Sequence, residues 1–335
     1  MKKINLYLII SVLLIFSVSC NDEWDEEQYK KAVSFVKSGV VKIYVKYNAE
    51  GGQVPFKVPV QVSGSTINDS DVNVTIALDP DTIPDLNFDR FRLRDDLYFK
   101  LLHPQFYEFE SMTSTIKSGE DVGIFKLNLK LEGMDLIDRY ILPIQIVSTS
   151  KYDVMDRKYY RKSLMEIVPF NDYSGRYSVS GSIFDRSRPE NQQTALTTPY
   201  RYARVVDERT VFFYAGITEE ESQDRAIYKI NATFNVEDST VTLTASDPRI
   251  NFSQQEGTFT IETKMDPVLP YLEWKYIKAN LKYEYDDISN PARPLLYRFS
   301  GPMVLEKVRN ILKPEEDQQG DIVEEDIERE YPNPY

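Results

Sequence analysis

From Val40 to Tyr47 apolar and polar side chains alternate, with Val41, Ile43, Val45 and Tyr47 on one side and Lys42, Tyr44 and Lys46 on the other. A period of two sends successive side chains to opposite faces, so the segment reads as a half-buried strand. The pattern recurs as Phe56, Val58, Val60 and Val62, and again as Val72, Val74, Ile76 and Leu78. Glu50-Gly51-Gly52, Ser63-Gly64-Ser65 and Asn68-Asp69 supply turns between these runs. Residues 79–90, with Pro80 and Pro84, read as a loop. Further strands are expected at 106–109, 114–116, 123–131 and 140–148. Short strands joined by polar turns predict a β-sandwich rather than a βαβ sheet. The 23 Tyr and 17 Phe against 13 Gly favour strands over helices as well.

Val168-Pro169-Phe170-Asn171-Asp172 reads as a joint, where Pro169 stops a strand and Asn-Asp turns the chain. Few contacts are expected to cross it, so 30–168 and 170–313 should be two domains that fold independently. Beyond it, residues 176–184, 200–206, 209–215, 226–236, 239–246, 256–264, 272–285 and 295–308 read as eight successive strands. Eight sequential antiparallel strands close an up-and-down barrel or fold as a second sandwich. The fold class is all-β in either case.

Several motifs in the first half occur in a familiar order. They are Val58-Pro59-Val60-Gln61-Val62-Ser63-Gly64, Asp71-Val72-Asn73-Val74, Pro104-Gln105-Phe106-Tyr107, Ile116-Lys117-Ser118-Gly119 and Tyr140-Ile141-Leu142-Pro143-Ile144-Gln145-Ile146. The series resembles the N-terminal immunoglobulin-like domain of unknown function of Bacteroidota surface lipoproteins encoded in polysaccharide-utilisation loci. Ser174-Gly175-Arg176-Tyr177 resembles the start of the second domain that accompanies this module, and a barrel there would be calycin-like. The resemblance implies glycan binding beside a SusC/SusD-like importer. Within strands, Pro59 and Pro143 are expected at edges or bulges, since proline donates nothing to the ladder.

The termini carry the address. Lys2 and Lys3 precede an apolar stretch from Ile4 to Phe16, too short to cross a bilayer, which takes about 20 residues, so residues 1–19 read as an export signal. Cys20 is the single cysteine, and its setting resembles a bacterial lipobox in which the thiol is acylated. Ser17 departs from that motif, which usually carries Leu there. The acidic run Asp22-Glu23-Trp24-Asp25-Glu26-Glu27 resembles a surface-export signal, and residues 20–29 read as a linker. The expected location is the outer membrane, lipid-anchored and facing outward. Of the net charge of −13, residues 1–20 hold +2, residues 21–29 hold −5 and residues 314–335 hold −8, leaving −2 for residues 30–313. The body therefore has no basic stripe for nucleic acid. Residues 314–335 read as an acidic disordered tail.

Catalytic signals are weak, and the chain reads as a non-enzyme. His103 is the single histidine and the mature body holds no cysteine nucleophile, which removes Cys-His chemistry and leaves too few ligands for zinc. Asp79, Asp81, Asp85 and Asn87 form a turn cluster without the calcium-loop pattern. No cofactor is implied, and the second half is too short for the chitinase-like barrel of some relatives, which takes about 250 residues.

Aromatic surfaces remain, because sugar rings stack their apolar faces on Trp and Tyr. The candidate residues are Trp274, Tyr276, Tyr283 and Tyr285 on one long strand, and Tyr200 and Tyr202 on another. Trp274 and Tyr276 share one face and Tyr283 and Tyr285 the opposite one. A bulge near Lys278-Ala279 would unite them; otherwise one pair is core and the other exposed. A polysaccharide or oligosaccharide is the expected ligand, and an adhesin or structural protein with a protein partner is the alternative.

Overall fold

A computed structural model describes residues 27–47, 52–157 and 159–313; Cys20, the linker up to residue 26 and the tail lie outside the described residues. The first half is a sandwich of two sheets. One sheet orders β10 (Asp153–Val154), β1 (Ala32–Phe35), β3 (Gln53–Ser63), β8 (Val122–Lys130) and β6 (Tyr107–Phe109). The other orders β2 (Gly39–Lys46), β11 (Lys162–Phe170), β9 (Arg139–Thr149), β4 (Val72–Leu78) and β7 (Thr113–Ile116), with β5 (Phe99–Leu101) added beside β9. The alternating residues deliver the core: Val58, Val60 and Val62 from one sheet meet Ile43, Val45, Val74 and Ile76 from the other.

Four expectations are corrected here. Residues 82–91 form a helix, α1 (Thr82–Phe91), instead of a loop. Pro84 falls in its first turn, where the amide would have no helical partner and its loss costs nothing. The helix packs Ile83 and Phe91 with Phe99, Ile141 and Leu164 on the outer face of the second sheet. Pro169 does not stop its strand; β11 runs on to Phe170, because past Ile167 it pairs only with β2. Pro59 and Pro143 occupy central strands. Their carbonyls accept from Val36 (3.2 Å) and Asp79 (3.0 Å), just past the last paired residues of β1 and β4, so the missing amide falls at the end of each ladder rather than inside it. The strand expected at 176–184 is two, β12 (Gly175–Val179) and β13 (Ser182–Asp185).

The second half is a closed barrel rather than a second sandwich. Its strands are β12, β14 (Tyr200–Val205), β15 (Thr210–Tyr214), β16 (Lys229–Asn235), β17 (Thr240–Ala245), β18 (Ser253–Met265), β19 (Leu272–Asp287) and β20 (Leu295–Asn310), with β12 pairing β20 to shut the ring. β13 continues along β20, and there a Cβ on Gly301 (φ +144°) would sit 2.4 Å from the Cα of Gly181, so glycine is required. Large rings fill the interior, among them Tyr177, Phe213, Tyr228, Phe234, Phe259, Tyr283, Tyr285 and Phe299.

The two halves are not loosely joined, contrary to the expectation from the Asn-Asp turn. Every residue of β15 is buried. Val211 and Phe213 point into the barrel, while Phe212 and Tyr214 join the apolar core that begins in the sandwich. Polar bonds reinforce the seam: Arg225 donates to the Asp96 carbonyl (2.7 Å), and Lys229 meets Asp135 at 2.8 Å. At the joint, Asn171 Oδ1 accepts from the amides of Tyr173 (2.9 Å) and Ser174 (2.7 Å), and Lys307 donates to its carbonyl at 2.7 Å.

Candidate functional site

β19 pairs with β20 without interruption from Leu272 to Asp287, so no bulge joins the two aromatic pairs. The pairs therefore part by parity. Tyr283 and Tyr285 are 2% and 1% exposed and belong to the barrel core, so the expectation that they bind ligand at the surface does not hold. The Tyr283 hydroxyl accepts from the Gly216 amide at 3.2 Å, and burial pushes its pKa up to about 12.

Trp274 and Tyr276 stand on the outer face, half-buried, where β18, β19 and β20 are longer than the other barrel strands. Their rings are nearly parallel, 11° apart in plane and 6.5 Å between centroids. Cross-strand neighbours set this pose: Lys264 lies opposite Trp274 and Glu262 opposite Tyr276. Lys264 Nζ stands 5.7 Å from the Tyr276 ring centre and pairs with Glu262 at 3.0 Å. The indole Nε1 donates to Asp266 at 3.1 Å, which fixes the Trp274 ring. The amides of Leu269 and Val268 and this indole hold the Asp266 carboxyl below its ordinary range. Beside Tyr276 lies a shallow pocket of about 200 Å³, lined by Thr260, Glu262, Lys264, Lys278 and Val304. Two aligned rings flanked by one ammonium and one carboxylate make a surface suited to stacking and to hydroxyl hydrogen bonds.

Tyr200 and Tyr202 also face outward and half-buried, with ring centres 5.5 Å apart. The Arg176 guanidinium lies 4.6 Å over the Tyr200 ring. Tyr202 sits at the mouth of a cleft of about 210 Å³ between sandwich and barrel. Sequence reasoning missed that cleft. One signal was available: Glu166 is a lone charge in the apolar run Leu164-Met165-Glu166-Ile167-Val168. It is 5% exposed, and Arg139 grips its Oε1 at 2.8 and 3.0 Å. Among the described residues no group of His, Cys, Asp and Glu could hold a metal ion.

Comparison with known proteins places this architecture. A model of a domain of unknown function, DUF4973, matches residues 24–150, and a model of a C-terminal domain matches residues 161–304. A Bacteroides ovatus protein of unknown function is 34% identical, covering 86% of this chain and 99% of its own, with a TM-score of 0.77. A multidomain protein including DUF1735 from the same species is 33% identical, over 87% and 99%, with a TM-score of 0.76. An auxiliary nutrient binding protein from Bacteroides thetaiotaomicron is 31% identical, over 84% and 95%, with a TM-score of 0.74. No curated protein matches. The chain belongs to the family of two-domain Bacteroides proteins that these structures represent.

Proposed function

We propose that this protein is a non-enzymatic, lipid-anchored protein of the outer cell surface that binds glycan and serves a SusC/SusD-like importer. The observation that carries the reading is the outward Trp274–Tyr276 pair, held parallel beside Lys264 and Glu262. The nutrient-binding description of the relative that is 31% identical supports it. So does the direction in which the chain leaves the fold. Glu27 accepts from the Ser65 amide and the Thr66 hydroxyl, both at 2.7 Å, at the end of β3 remote from the barrel. Eleven-residue β3 is about 33 Å long at ~3.3 Å per residue. An anchor at Cys20 would thus hold the sandwich near the membrane and present the barrel outward.

A glycan array probed with residues 28–313 tests the binding, with hydrolysis assays on each hit testing for catalysis. Cys20→Ala should release the full chain from membranes, and a variant that still pellets after a high-salt wash would overturn the anchor. The adhesin reading has one observation in its favour. The turn after β18 exposes Val268 (80%) and Leu269 (40%), and Leu312 just past β20 is 76% exposed. Under that reading Val268→Asp with Leu312→Asp abolishes cell-surface association with a partner, and the array stays blank.

A further inference from the structure

One row of side chains joins the cleft to the aromatic pair. On the outer face, Tyr202 of β14 pairs with Arg176 of β12. Extending the Tyr177–Leu305 register by one residue sets Arg176 beside Glu306 of β20, and Glu306 pairs with Tyr276 of β19. Their inward neighbours Ala203, Tyr177, Leu305 and Ile277 are all buried in the barrel, so the four side chains share the outer surface. With strands about 4.8 Å apart, Tyr202 and Tyr276 stand about 14 Å from each other across three gaps, the length of roughly three sugar rings.

Tyr202, Arg176 and Glu306 all line the cleft, and Tyr276 and Trp274 lie beyond it. Glu166 on its wall is 5% exposed, and its Oε2 is buried without a hydrogen-bond partner among the described residues. Arg139 reaches Glu166 through Oε1, so Oε2 is left as an acceptor for another donor. Three of the guanidinium groups lining the cleft face carboxylates, Arg139 on Glu166, Arg204 on Glu220 and Arg225 on Asp96, and the fourth, Arg176, lies over the Tyr200 ring. An anionic ligand would compete with those pairs, whereas a neutral hydroxyl donor satisfies Glu166 without disturbing them. Leu97, Leu136, Ile137 and Val168 line the rest.

From this geometry we infer that the ligand is a neutral oligosaccharide bound end-on. Its terminal ring lies in the cleft against Glu166, the next rings pass Tyr202, Arg176 and Glu306 along the cleft wall, and the chain leaves over Tyr276 and Trp274. This inference rests on the glycan-binding reading and adds a chain length, a charge class and a terminal subsite to it. The test is calorimetric titration of the full chain lacking residues 1–20 with gluco-, galacto- and manno-oligosaccharide ladders of one to six rings. For one ladder, affinity should rise to about four rings and then level off. Val168→Trp, which fills the cleft, and Glu166→Gln, which turns the acceptor into an amide, should each weaken binding about tenfold or more, as should Trp274→Ala. Thermal melting shows whether each variant is folded, and Val168→Trp keeps the test valid if Glu166→Gln does not fold. If Trp274→Ala loses binding while both cleft variants keep it, the end-on mode is wrong and the pair alone is the site. If no ladder binds at about 10 mM, both the end-on mode and the glycan reading fail.

Discussion

The barrel turns aromatic side chains outward on two walls, and the walls have opposite fates. On β15, Phe212 and Tyr214 are each 1% exposed because the sandwich covers them. On β19, Trp274 and Tyr276 occupy the same i, i+2 spacing but remain half-buried at the surface. Alternation along a strand decides whether a side chain faces the barrel interior. It does not decide whether the outer face meets water or a neighbouring domain. The sequence differs at the two places accordingly: Val211-Phe212-Phe213-Tyr214 is continuously apolar, as strands buried on both faces are, whereas Glu273-Trp274-Lys275-Tyr276 keeps its charges.

The contrast can be broken in four graded ways. Tyr283→Ala removes an interior ring and should cost about 3–5 kcal/mol of stability, read as the shift in denaturant midpoint. A loss below about 1 kcal/mol would remove Tyr283 from the core. Phe212→Ala should cost about 3 kcal/mol and, since it strips the seam, should split one cooperative melting transition into two. A single sharp transition in the variant would show that the seam does not couple the halves. Lys307 gives a smaller effect of defined sign. Burial pushes its pKa down to about 8, against Asp172, which pulls it up. An unfolded lysine titrates near ~10.4, so between these values the unfolded chain binds more protons and stability rises with pH. The urea midpoint should report a gain of about 1 kcal/mol from pH 8 to 9.5, absent in Lys307→Met. Equal slopes for the two proteins would contradict the lowered pKa of this half-buried ammonium. The smallest effect is on Trp274→Ala, whose melting temperature should barely move, because the ring is only half-buried on the outer face.

How much of this was legible beforehand follows from what each signal depends on. Period-two runs specify strands locally, so Val58 to Val62 and the barrel strands from β14 to β20 fell close to where the alternation put them, while 176–184 divided into β12 and β13. The parity of β19 even reduced its four aromatics to two outcomes. Which pair was interior depended on barrel curvature, a long-range property that alternation does not carry. α1 was hidden because Pro84 reads as a breaker unless the start of the helix is known to precede it by two residues. The seam was hidden for the same reason as the two walls: Phe212 and Tyr214 look like any outward pair until the sandwich is present. Glu166 was visible as an odd charge, but its open Oε2 depends on where Arg139 reaches from β9.

The central claim is that the exposed aromatic wall binds sugar while the covered wall only holds the halves together. The direct measurement is calorimetric titration of the best array ligand against wild type, Trp274→Ala with Tyr276→Ala, and Phe212→Leu. The exposed double variant should lose about 1–3 kcal/mol of binding per ring removed and melt like wild type. Phe212→Leu, on the covered wall and outside the cleft, should bind normally. Undiminished affinity in the folded double variant would contradict the account, and the site would then lie elsewhere on the surface.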